Sequence, residues 1–157
     1  MIYALDRFSV ERVIPRNESL AIRCMSSAPV RAQRNIEYGQ LDEKLYVGIL
    51  PLVFDDIIPE DKELNPGSYD DYILFTEDHA SRITDFLKRN KDKFQDIVVS
   101  CDYGNSRSCG VGVAIGDHFG SEYSPDLLER DLNLHVYSVL LNQLGRDFPE
   151  LATTKIR

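Results

Sequence analysis

The chain has no tryptophan, only three cysteines (Cys24, Cys101, Cys109) and only three histidines (His79, His118, His135). An odd cysteine count without a CxxC pair excludes a disulfide framework, and histidines that share no spacing give no zinc motif, so no metal and no cofactor are expected. No apolar run approaches the roughly 18 to 20 residues that a membrane helix needs. The opening "MIYALDRFSVER" reaches charge too early for the apolar region of a secretory signal, which makes a soluble cytoplasmic protein the expectation. Internal repeats, low-complexity tracts and Gly/Ser/Pro linkers are missing too. No dense basic cluster occurs, and the formal net charge is -8. A field of that sign repels polyanions, so neither nucleic acid nor an anionic membrane is an expected partner.

What is present fits one domain over 1–157: 157 residues, 43% of them hydrophobic, can bury most of the surface that the unfolded chain exposes. "ESLAIRC" (Glu18 to Cys24) and "LYVGILPLVF" (Leu45 to Phe54) read as strands. Pro51 lacks a backbone donor and places the second at a sheet edge or a kink. "DIVVS" (Asp96 to Ser100) is a short β-branched run of the kind buried in a parallel sheet.

Between the last two strands, "TEDHASRITDFLKRNKDKF" spaces Ala80, Ile83, Phe86 and Leu87 helically. Thr76 stands as its N-cap, with acids in the first turn and bases in the last. A second helix is expected from about Arg107 to about Gly120. A third is expected along "SPDLLERDLNLHVYSVLLNQL", capped by Ser124 with Pro125 in its first turn. "IIPEDKELNPGSYDDY" reads as an insertion ahead of Thr76. The order of elements predicts an α/β fold, a central mostly parallel sheet of about four or five strands flanked by helices.

The densest chemistry lies in "SCDYGNSRS". Cys101 ends an apolar strand, Arg107 follows six positions later and a helix begins there, which brings backbone N–H groups and a helix N-terminus to one place, a ready anion site. A thiol in that setting is favoured as thiolate and so as nucleophile. Arg107 offers a planar fork for two phosphoryl oxygens. Gly104 permits a tight cradle, and Ser108 can bring a hydroxyl to the sulfur. Three cysteines give about a 15% chance of some C-x5-R; adding the glycine and the following serine cuts that to roughly 0.1%.

"CDYGNSRS" resembles the signature loop of the cysteine-dependent protein tyrosine and dual-specificity phosphatases, with the GxSRS form of the dual-specificity branch. The wider run "LPLVFDDI…FTEDHASRITDF…IVVSCDYGNSRS" is similar to small microbial phosphatase-like proteins, closely over 45–115 and in outline elsewhere. The resemblance implies a cysteine-phosphatase-like fold with Cys101 as nucleophile and Arg107 as phosphoryl clamp. Asp102, Tyr103, Gly104, Asn105 and Ser106 would line the phosphate cradle, mainly by backbone amides, and Ser108 would assist release of the cysteinyl-phosphate. One departure is plain: the family usually carries histidine just before the cysteine, and this chain has Ser100.

A leaving alkoxide or phenoxide needs a proton, and the family takes it from an aspartate on a loop upstream of the cysteine. "FDDIIPED" puts Asp56 or Asp55 at a strand's C-terminal end and is loosely similar to the tyrosine phosphatases' "WPDxGxP", aligning Asp56 with the acid. "SYDDY" holds Asp70 and Asp71 at a spacing from Cys101 common among dual-specificity members. Strand position orders the candidates Asp56, Asp55, then Asp70 and Asp71.

The leading expectation is a phosphatase acting on a phosphorylated protein or a small phosphomonoester. The alternative is a pseudophosphatase that binds phosphorylated partners without turnover. A low-molecular-weight phosphatase or arsenate reductase also uses C-x5-R-S. Its loop, however, lies near the N-terminus and its acid stands directly before proline, whereas here Phe148 separates Asp147 from Pro149.

Overall fold

The computed structural model describes residues 1–149. Its centre is a four-stranded, wholly parallel sheet made of β1 (Ile2–Leu5), β2 (Ser19–Met25), β3 (Gly48–Val53) and β4 (Asp96–Ser100), in the order β1-β4-β2-β3. Among the described residues six α-helices accompany it: α1 (Arg7–Arg12), α2 (Ala28–Arg34), α3 (Pro59–Leu64), α4 (Glu77–Arg89), α5 (Arg107–Phe119) and α6 (Leu134–Asp147). The α/β class and the flanking helices are those expected from the sequence.

β4, buried throughout, is inserted between β1 and β2, with Ile97 opposite Ile2 on one side and Leu20 on the other. Alternation sends Ile97 and Val99 into the main core with Ile22, Leu52, Ile83 and Ile115, while Val98 meets Ala21, Val10 and Tyr46 on the opposite face. Cys101 continues that alternation and belongs to the main core cluster. Pro51 lies on β3, an edge strand, where its missing donor costs no ladder bond to a further neighbour.

The helix over 77–89 forms as expected, capped at Thr76, with Ala80, Ile83, Phe86 and Leu87 buried. His79 accepts the Thr76 backbone N–H on Nδ1 at 3.0 Å, which leaves Nε2–H to donate to Val53 O at 2.9 Å. α5 starts at Arg107 and ends at Gly120 in the left-handed region, also as expected.

Two readings need correction. The long third helix is in fact a 3-10 turn over Pro125–Glu129, an extended residue at Arg130, and then α6. Ser124 caps only the turn; Asn133 caps the α-helix, its side chain accepting from Val136 N, and the polar run Glu129–Asp131 breaks the apolar spacing. The supposed insertion before Thr76 contains α3, with Pro59 in its first turn and the Asp61 carboxylate accepting from Ile58 N. The short elements β1, α1 and α2 had no counterpart among the expected elements. Among the described residues, no helix is long and apolar enough to cross a membrane.

Candidate active site

Because all four strands run parallel, their C-terminal ends share one edge of the sheet, where α/β folds place ligands. That edge carries Asp6 and Arg7 after β1, Ser26 and Ser27 after β2, Asp55 and Asp56 after β3, and the cysteine loop after β4. The position of β4 puts the loop between the ends of β1 and β2, with the end of β3 beyond β2.

The loop is pinned from several sides. Cys101 N donates to Leu5 O at 3.2 Å. Gly104 has φ +71, and a Cβ there would lie 2.8 Å from Asp6 N, so both conformation and space demand glycine. Gly104 O accepts from Arg130 Nη1 at 2.7 Å and from Cys109 Sγ at 3.4 Å. Arg130 Nη1 also reaches Ala4 O at 3.0 Å, tying the loop to β1. The backbone N–H groups of Asp102 to Ser106 donate to no described residue. Those of the first turn of α5 lack partners by helix geometry.

Cys101 Sγ lies 3.0 Å from Ser108 Oγ, both buried. Arg107 is 3% exposed: Nη1 donates to Phe54 O at 2.8 Å and Ser26 Oγ at 3.1 Å, and Nη2 pairs with Asp102 Oδ2 at 2.9 Å. No described residue accepts from its Nε. Burial pulls the guanidinium toward neutrality, but the charges of Cys101 and Asp102 outweigh it and hold Arg107 protonated.

Asp102 is the surprise of the loop, because its side chain does as much as its amide. The carboxylate, 1% exposed, takes Ser26 Oγ at 2.6 Å on Oδ2 and Tyr38 OH at 2.5 Å on Oδ1, besides Arg107. Burial pushes its pKa up, yet the Arg107 charge and the Ser26 and Tyr38 hydroxyls prevail and hold it below the usual aspartate range. Tyr38 in turn accepts from Ser26 N at 2.7 Å, and the guanidiniums of Arg23 and Arg31 lie 5.6 Å and 5.2 Å from its ring centroid. Its pKa is raised by burial and by the bond to Asp102, so it stays a donor.

The other loop residues divide by exposure. Tyr103 is 63% exposed beside the Arg7 guanidinium, 5.6 Å from its ring, and Asn105 is exposed as well. Cys24, next along β2, is buried, and burial with the neighbouring Cys101 drives its pKa far up, which makes it an inert thiol.

The four aspartates separate clearly. Asp55 is buried, Oδ1 accepting from Ser27 N at 2.9 Å and Oδ2 from Ile73 N at 2.8 Å; one oxygen ties the end of β3 to the residues after β2 and the other ties it to the segment before α4. Asp56 is exposed and faces the loop: Oδ1 accepts from Ser106 Oγ at 2.8 Å and Asn133 Nδ2 at 3.0 Å, and Oδ2 has no partner among the described residues. Asp70 and Asp71 are exposed, and no hydrogen bond or ion pair joins them to the loop among the described residues. Asp147 ends α6, bound to Thr84 and Gln143. A cavity of about 440 Å³ opens at the other end of the strands, beside Met1, Phe94 and Phe119, away from every candidate residue.

Sequence reading had not singled out Ser26, Tyr38 or Asn133. Ser26 follows a strand and could have been flagged as a sheet-edge hydroxyl, and Asn133 as a helix cap; nothing local marks Tyr38. No family model matches the chain, and no curated protein matches it. Among solved structures it matches one described as Tk-PTP in the active form, at 12% identity and a TM-score of 0.42, over 98% of this chain and 87% of that one.

Proposed function

We propose that the chain is a phosphomonoester hydrolase of the cysteine-dependent protein tyrosine or dual-specificity type, acting on a phosphorylated protein or a small phosphomonoester. One observation carries the reading. A buried thiol, a hydroxyl 3.0 Å from it and a buried arginine flank a loop in which the backbone N–H groups of Asp102 to Ser106 have no acceptor among the described residues.

Those amides, with Arg107, can neutralise the equatorial oxygens of a phosphoryl group. The Cys101 sulfur attacks phosphorus in line. The bond to the ester oxygen breaks, and that oxygen leaves with the electron pair and a proton from Asp56. Water then attacks the cysteinyl-phosphate, its proton passing to the Asp56 carboxylate, and the P–S bond breaks with the electrons returning to sulfur. Ser108 Oγ–H can donate to that departing sulfur. Asp56 suits the acid role better than Asp55, whose two oxygens are occupied.

Hydrolysis of 4-nitrophenyl phosphate tests the reading. The wild type should turn over with vanadate inhibition, and Cys101→Ser should lose at least about a thousand-fold, as removal of a nucleophile does. Equal activity of the two proteins would remove cysteine catalysis. A second reading, a module that binds phosphorylated partners without turnover, is favoured by Ser100 before the cysteine and by the hold of Asp102 on Arg107. It would be supported by phosphopeptide binding with no vanadate-sensitive turnover.

A further inference from the structure

We infer that Asn133 is a positioning residue that registers the aspartate loop after β3 against the cysteine loop after β4. The inference rests on the hydrolase reading, which supplies the role of Asp56. Asn133 is 6% exposed, and its polar groups bond to three different elements. Its backbone N–H donates to Ser106 O at 3.1 Å, the last carbonyl before Arg107. Its side-chain Oδ1 accepts from Val136 N at 3.1 Å and so caps α6. The two protons of Nδ2 go to Asp56 Oδ1 at 3.0 Å and Ile57 O at 3.3 Å.

The choice of amide is informative. A helix cap needs only an acceptor oxygen, which serine or aspartate supplies equally well. Those two side chains lack the pair of donors that asparagine spends on the Asp56 segment. Aspartate would also set a second carboxylate against Asp56. Ser106 closes the link from the cysteine loop, its Oγ donating to the same Asp56 oxygen at 2.8 Å. Two donors on Oδ1 fix the rotation of the carboxylate and leave Oδ2, free of partners among the described residues, as the oxygen available to the leaving group. Gly110 makes the approach possible, since a Cβ there would lie 2.8 Å from Asn133 O.

Leaving-group dependence separates this role from a merely structural one. A nitrophenolate departs without a proton, whereas a phenolate needs the acid, so an aligning residue matters mainly for the second. Asn133→Ser keeps a hydroxyl cap and loses both amide donors. In the full chain it should lower kcat/KM, which reports attack on the ester and not the hydrolysis step common to both substrates, for phenyl phosphate about ten-fold or more beyond any loss with 4-nitrophenyl phosphate; Asp56→Asn should show the same bias in kcat/KM at roughly hundred-fold or more. Equal losses for both esters, or none, overturn the inference. Should Asn133→Ser melt below assay temperature, Asn133→Asp retains the cap acceptor and is read by the same ratio. Cysteine-dependent turnover with an unchanged ratio defeats this inference alone, while a wild type with no such turnover defeats the hydrolase reading and the inference with it.

Discussion

Asp102 sets a negative charge one residue after the candidate nucleophile, against the guanidinium of Arg107, the proposed phosphoryl clamp. Its bonds point it toward Ser26 and Tyr38, so it fixes the arginine from behind and leaves the Nε side unbonded. Removing one partner of a buried pair strands the other charge: Asp102→Asn should lower unfolding free energy by about 3–5 kcal/mol, measured by urea denaturation at neutral pH. Tyr38→Phe, which deletes one donor to the carboxylate and one acceptor for Ser26 N, should cost about 1–3 kcal/mol. The pH dependence has a definite sign. The folded-state pKa of Asp102 is depressed, so its contribution is complete above the unfolded value near 3.9 and is lost as pH falls through the lower folded value. The stability gap between wild type and Asp102→Asn should therefore hold steady from about pH 5 upward and close in strong acid. A gap that widened on acidification would contradict the assignment.

The connection from β4 to α5 is tightly constrained. At Gly104 any side chain meets a positive φ and the backbone of Asp6 together. Gly104→Ala should reduce stability by roughly 1–3 kcal/mol and abolish competitive inhibition by orthophosphate; retention of both would mean that the loop tolerates another path. α4 and α5 were legible because apolar spacing and end signals lie within each segment. The short elements β1, α1, α2 and α3 carry too few residues for a periodicity to show. α6 was legible in its body and misread at its start, because Asn133 as a cap depends on the turn before it and on the loops that it bridges.

The whole chain is acidic, with net charge -8, while the proposed site collects anions. Approach of an acidic phosphopeptide is then opposed at long range and favoured only at the loop. Added salt screens the first effect more than the second. Proposed turnover of such a peptide should show kcat/KM rising with ionic strength from about 20 mM to about 200 mM, opposite to the trend for a basic enzyme. A steady fall would show that arginines near the mouth, such as Arg7 and Arg31, dominate the field.

Local order by itself determined the strand that leads into Cys101, the helix beginning at Arg107, the spacing between them and the helix over 77–89, since each depends on residues that are neighbours along the chain. Which aspartate faces the loop, and what holds Arg107 in place, only the tertiary structure decided. Asp55 and Asp56 are adjacent in sequence, yet one is spent on the amides of Ser27 and Ile73 and the other meets Ser106 and Asn133. Likewise the two hydroxyl partners of Asp102 come from the residue after β2 and from the segment after α2. Hydrogen bonds across such separations are settled by strand order and helix packing, which no local pattern encodes.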